Sequence, residues 1–102
     1  MGILHTINKS PFENNSLESC LSLLAPESSV LFIEDAVIAA MQNTKFSSLV
    51  EDKLKAFKIY ALQPDLDARG LDGGKVINGI EVIGYNDFVD LAVSHKSVQS
   101  WL

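Results

Sequence analysis

A single cysteine, Cys20, stands in the whole chain, which excludes an intrachain disulfide and any zinc site built from several thiolates. Basic residues are also few, 8 against 13 acidic ones, for a formal net charge of -5. Nucleic-acid binding needs a positive face to neutralise phosphates, so direct contact with DNA or RNA is not expected. Long hydrophobic runs are missing. The longest apolar stretches fall well short of the ~20 residues needed to span a bilayer, so no membrane segment is expected. No basic segment leads into an apolar stretch with a small-residue cleavage site, so no secretory signal is expected and the simplest placement is cytoplasmic. Met1-Gly2 followed by Thr6 matches a myristoylation pattern in form, but Ile3, Leu4 and Ile7 read better as a buried strand. No linker, repeat or low-complexity tract interrupts the chain.

What is present suits one small α/β domain spanning residues 1–102. By the usual size scaling, such a chain buries roughly 65% of its unfolded surface, and its hydrophobic content of 47% suffices for one core. Four apolar, β-prone runs recur: Ile3 to Ile7, Val30 to Ile33, Phe57 to Leu62 and Ile80 to Gly84. Runs that are apolar on both faces and separated by helix-length segments suit a parallel sheet covered on each side. The gaps exceed the roughly dozen residues that a crossover between parallel strands requires. The expectation is a three-layer domain around a mostly parallel sheet of about four to five strands.

The helical segments have their own signals. Asn15 is placed to cap a first helix, with Glu18 reaching back as in a capping box. At about 100° per residue, Leu17, Cys20, Leu21, Leu23 and Leu24 fall within one apolar arc. Asp35 is placed to cap a second helical stretch carrying Val37, Ile38 and Met41. A third segment, around Ser47 to Ala56, presents Leu49, Val50 and Leu54. Pro64 suits the first turn of a short helix that Gly70 ends as a left-handed cap, with Asp65 and Arg69 spaced to pair. Asp72-Gly73-Gly74 reads as a turn, since it lacks the lysine of a phosphate loop. The last helix begins at Asn86 or Asp87, turns Phe88, Leu91 and Ala92 inward, and ends near His95 and Lys96, which complement its dipole.

Chemistry has few places to reside. Cys20 is the one thiol and therefore the one candidate catalytic residue for sulfur transfer. A thiol active in exchange needs a nearby cation, a helix N-terminus or a metal to favour its thiolate. Cys20 lies past the first helical turn with Glu13 and Glu18 as charged neighbours, so a structural role outweighs a sulfur-handling one. Glu34-Asp35 follows a strand and opens a helix, where open α/β sheets build sites. Two carboxylates there suit a divalent cation, but no third ligand is evident and a helix-start role is simpler. His5, His95 and Cys20 have no spacing that supports a zinc site, and no metal or cofactor is expected. His5 reads as a core or interface histidine. Trp101 with Val98 and Leu102 forms an apolar cluster that must fold back or dock on a partner, which makes His5 and Trp101 the candidate interface residues.

His5-Thr6-Ile7-Asn8-Lys9-Ser10-Pro11-Phe12 resembles the opening signature of the DsrH/TusB family, small subunits of bacterial sulfur-relay complexes. Leu31-Phe32-Ile33-Glu34-Asp35 with Ala39-Ala40, Ile59-Tyr60-Ala61-Leu62, Asp65-Leu66-Asp67-Ala68-Arg69-Gly70, and Asp87-Phe88-Val89-Asp90-Leu91 with Trp101 follow in the family's order. The motifs fit the DsrH branch, associated with sulfur oxidation, more closely than the TusB branch of transfer-RNA thiolation. Where the family commonly has glycine after the acidic pair, this chain has Ala36. The resemblance implies a non-catalytic subunit in a dimer of heterotrimers with DsrE-like and DsrF-like subunits. In such a complex the DsrE/TusD-type subunit carries the main sulfur-accepting cysteine and passes persulfide sulfur to a DsrC/TusE-like carrier. The alternatives are a direct sulfurtransferase acting through a Cys20 persulfide, a TusB-like role in 2-thiouridine formation at the transfer-RNA wobble position, and a small-ligand binder at Glu34-Asp35.

Overall fold

The structure, a computed structural model, describes residues 2–102. Five strands form one sheet: β1 (Ile3–Ile7), β2 (Ser29–Phe32), β3 (Lys58–Leu62), β4 (Glu81–Ile83) and β5 (Ser97–Trp101). Their order is β4-β3-β2-β1-β5, and every pairing is parallel. The helices are α1 (Ser16–Ser22), a 3-10 helix over Glu34–Ala40, α2 (Ser47–Leu54), α3 (Gln63–Ala68) and α4 (Tyr85–Ser94), with a 3-10 turn at Gly73–Lys75.

The parallel register sorts the side chains into two faces. Ile7, Val30, Phe32, Ile59 and Ala61 point to one side, where α1, the 3-10 helix, α2 and α3 bury them in the larger of two apolar clusters. Leu4, Leu31, Tyr60, Leu62 and Ile83 point to the other, packed by Phe88 and Leu91 of α4. The layers are unequal: α4 is the one helix on its face, and none of its residues is fully buried. Expelling this much apolar surface from water is the main drive for the fold, at about 25 cal/mol per Å².

Four strands coincide with the four apolar runs of the sequence. The fifth, β5, lies outside them. Its Ser-Val-Gln-Ser-Trp sequence has weak strand propensity, and it earns its place by pairing residue for residue with β1. Of the terminal apolar cluster, Trp101 thus folds back onto its own sheet, while Val98 and Leu102 stay exposed.

Local signals were met in part. Asn15 occupies the cap position of α1 but makes no side-chain cap bond; its backbone lies outside the extended region a capping side chain needs. The Asn14 side chain accepts the Ser16 N–H instead, at 3.0 Å. Leu23 departs from the expected apolar arc and is 67% exposed, because α1 ends at Ser22 and Leu23 leaves the helical path. The segment after β2 winds as a 3-10 helix that starts at Glu34, so Asp35 sits inside its first turn and does not cap it. Likewise α4 starts at Tyr85, one residue earlier than expected, with the Asp87 carboxylate accepting the Gly84 N–H at 3.3 Å. Pro64 opens α3, and Gly70 closes it with φ of 65°. There Leu71 N–H bonds Leu66 C=O and Gly70 N–H bonds Asp67 C=O, the paired pattern of a Schellman cap.

Candidate functional site

Cys20 is carried by α1 into the larger cluster and is fully buried. Burial pushes its thiol up to about 12, because the thiolate would lose its hydration with no cation in exchange. At neutral pH the side chain therefore stays a protonated thiol. The nucleophile and the metal ligand in cysteine chemistry is the thiolate, so this side chain packs as a small apolar group.

The carboxyl ends of the parallel strands hold a different constellation. Strand β2 ends into Glu34, whose φ of 51° places a non-glycine residue in the left-handed region, at a cost of roughly 1 kcal/mol. The Asp65 carboxylate, at the start of α3, accepts the Glu34 N–H at 2.7 Å and so holds this turn. Arg69, the residue that caps the end of α3, donates from Nε and Nη2 to a single Asp35 oxygen at 3.1 and 2.9 Å. Its Nη1 donates to the Asp65 carbonyl at 3.1 Å, and the expected Asp65–Arg69 ion pair is present but longer, at 3.7 Å. Asp35 is 62% exposed at its side chain, so the pair contributes at most about 1 kcal/mol. Ser10, Glu13, Asp35, Ile38, Arg69 and Leu71 line a shallow cleft of about 300 Å³ there. The left-handed backbone lies at Glu34, two residues before the fully buried Ala36.

The two histidines hold distant parts of the chain together. Trp101 Nε1–H donates to His5 Nδ1 at 3.0 Å, across the face of the sheet shared by β1 and β5. An accepting Nδ1 carries no proton, so the His5 proton lies on Nε2. His5 is 6% exposed, and burial lowers its pKa from the ordinary histidine value. His95, which ends α4, places Nδ1 2.7 Å from the Leu91 carbonyl and Nε2 2.9 Å from Ser29 Oγ. A carbonyl only accepts, so Nδ1 carries a proton in the first of these contacts. This serine-histidine contact, which sequence spacing gave no way to find, pins α4 to the start of β2.

Cys20, His5 and His95 are not brought together. Among the described residues no group of three or more histidine, cysteine, aspartate or glutamate side chains is arranged to hold a metal ion. Among those residues, too, no helix is long and apolar enough to cross a membrane. Asn8 Oδ1, just beyond β1, and Ser28 Oγ, just before β2, are buried without a hydrogen-bond partner. The sequence placed Glu34-Asp35 at a strand end and paired Asp65 with Arg69 along a helix, but gave no sign that Asp65 clamps Glu34 and Arg69 reaches Asp35. A loop backbone in the left-handed region leaves no mark on a glutamate.

Comparison with known proteins gives consistent neighbours. The family model described as "DsrH like protein" matches residues 9–98. "Protein TusB" of Enterobacter sp. (strain 638) is 37% identical over 99 residues, covering 97% of this chain and 100% of the relative. "Protein TusB" of Escherichia coli (strain K12) is 36% identical with the same coverage, as is that of Buchnera aphidicola subsp. Baizongia pistaciae over 101 residues. Among solved structures, the ychN protein from E. coli superposes with a TM-score of 0.86 at 20% identity, covering 98% of each chain. MTH1491 from Methanobacterium thermoautotrophicum superposes with a TM-score of 0.76 at 16% identity, covering 96% of each. These two structural likenesses speak for the fold.

Proposed function

Because this chain belongs to the DsrH/TusB family, we propose that it is a subunit of a sulfur-relay complex, and that the relay serves transfer-RNA thiolation. The observation that carries this reading is the full-length similarity to proteins named TusB, at 36–37% identity from one end of those relatives to the other. The motifs alone favour the sulfur-oxidation branch; relatives that match along the whole chain weigh more than short segments and move the reading to thiolation. Its role is assembly. The sulfur-accepting thiol belongs to a DsrE/TusD-type partner, and a DsrC/TusE-like carrier receives the persulfide sulfur in the cytoplasm.

The burial of Cys20 and its raised pKa support this division of labour. A relay thiol must attack a donor as a thiolate and then be attacked in turn, and Cys20 is poised for neither. The net charge of -5 fits a protein that serves transfer-RNA chemistry without holding the RNA. His5 and Trp101 fit the interface as one unit, with the buried histidine fixing the orientation of a partly exposed indole.

The test is genetic. Removing the chain from its own bacterium is expected to deplete 2-thiouridine at the transfer-RNA wobble position, read by nucleoside mass spectrometry. A Cys20→Ser gene is expected to restore it as fully as the natural one. Intact thiouridine alongside impaired sulfur oxidation would return the reading to the DsrH branch.

A further inference from the structure

At the amino ends of β2 and β3, opposite the strand-end turn at Glu34, lies a cavity of about 480 Å³, a volume within the range of small-molecule sites. Ser28, Ser29, Lys58, Tyr60, Leu91 and His95 are among its walls. Ser29 pairs with Leu4 in the parallel register and shares its sheet face, the one that α4 covers. There its Oγ lies 2.9 Å from His95 Nε2. His95 Nδ1 lies 2.7 Å from the Leu91 carbonyl, which also accepts the His95 backbone N–H at 3.2 Å. With its proton on Nδ1, a neutral imidazole turns the lone pair of Nε2 towards the serine. A hydroxyl, a base within hydrogen-bond reach and a third group that orients the base are the parts of an activated nucleophile. The cavity adds another part. Ser28 is 4% exposed, and its Oγ finds no partner among the described residues. A buried hydroxyl with an unspent hydrogen bond is costly until something that enters the cavity takes it up.

We propose that Ser29 and His95 form an acyl-transfer site that hydrolyses small esters of short-chain acids. Ser29 Oγ attacks the ester carbonyl carbon while its proton passes to His95 Nε2. The carbonyl oxygen, now negative, takes the hydrogen bond that Ser28 has to give. As the tetrahedral adduct collapses, the bond to the alcohol oxygen breaks and the alcohol leaves with the proton from Nε2. Water then attacks the acyl-serine and gives a proton to Nε2. That proton returns to Ser29 Oγ as the carboxylic acid departs, so one ester and one water become one acid and one alcohol. The Leu91 carbonyl is a positioning group, holding the ring so that Nε2 faces the serine. The aliphatic residues of the wall are Ala56 and Leu91, which suits an acyl group of a few carbons and no long chain.

This inference does not rest on the sulfur-relay reading, and its test does not touch sulfur. The full chain is expected to release p-nitrophenol from p-nitrophenyl acetate faster than buffer alone. Ser29→Ala and His95→Gln are each expected to lower that rate about 100-fold, the scale of a lost nucleophile–base pair. Cys20→Ser is expected to keep it, which separates this site from thiol chemistry. The natural chain supplies a second readout that no variant's folding can spoil. Diisopropyl fluorophosphate is expected to leave its phosphoryl group on Ser29, located by peptide mass spectrometry, with fluoride released. A rate no higher than that of buffer overturns the proposal, and so does a label found elsewhere. Hydrolysis indifferent to Ser29→Ala also overturns it and would trace the reaction to exposed lysines. A contact that only pins α4 would give the buffer rate, together with a lowered unfolding midpoint in Ser29→Ala.

Discussion

Cys20 and His5 show how burial, not residue type, decides what a side chain can do. The thiol pushed up to about 12 is expected to resist alkylation in the native protein at pH 8 and to react fully in denaturant. Labelling at the native rate of a free thiol would overturn that. His5 carries a pH dependence whose sign follows from its lowered pKa. The unfolded chain, with an ordinary histidine, takes up its proton at a higher pH than the folded one. Stability from this residue is therefore complete above about pH 6.5 and is lost as pH falls through the window below it. Protonation also removes the lone pair that accepts the Trp101 N–H. Emission of the one tryptophan, followed from pH 7 to pH 5, is expected to change with the unfolding midpoint. His5→Asn, whose amide oxygen can take the place of Nδ1, is expected to flatten both curves. Of these residues the sequence made Cys20's packing legible, through its apolar arc and acidic neighbours. The His5–Trp101 bond was not legible, because it depends on a strand pairing across 96 positions.

At the scale of elements, the strand-end turns depend on a few side chains. Asp65 accepts the Glu34 N–H and braces Arg69, so Asp65→Ala removes the partner of a strained backbone. It is expected to cost about 1–2 kcal/mol in denaturant unfolding, whereas Asp67→Ala, on the same helix and exposed, is expected to cost a few tenths. Gly2 is a different constraint: a Cβ there would meet the backbone carbonyl of Glu27. Gly2→Ala therefore has to displace main chain, and a loss of over 1 kcal/mol is expected from thermal unfolding. The helices that the sequence signalled clearly were those with proline, glycine and strong periodicity, α3 above all. The 3-10 winding after β2 was hidden, because Glu-Asp-Ala-Val-Ile-Ala-Ala suits an α-helix just as well and tertiary packing of Ala36, Val37, Ala39 and Ala40 selects the tighter form.

At the scale of the whole molecule, the sheet presents a well-covered face and a thinly covered one, which fits the proposed role as a subunit of a complex. With a DsrE/TusD-like and a DsrF-like subunit co-expressed and a sulfur donor supplied, intact-mass measurement is expected to place the added sulfur atom on the DsrE/TusD-like subunit. A Cys20-dependent adduct on this chain would instead make it a carrier. The α/β class and four strands could be read from alternating apolar runs and crossover-length gaps. The strand order could not, since nothing local in Ser97 to Trp101 says that it belongs beside Ile3 to Ile7.

That adjacency has a consequence for how the protein is made. Strand β1 leaves the ribosome first and β5 last of the five, yet they are neighbours in the finished sheet. While the chain is growing, β1 can find β2 early, but its other side stays bare until residues 97–101 emerge. Nascent chains expose such unpaired edges to chaperones and to one another. The fifth strand is thus the step that closes the translation intermediate, and a ribosome stalled shortly before it would hold four paired strands with the outer side of β1 still open.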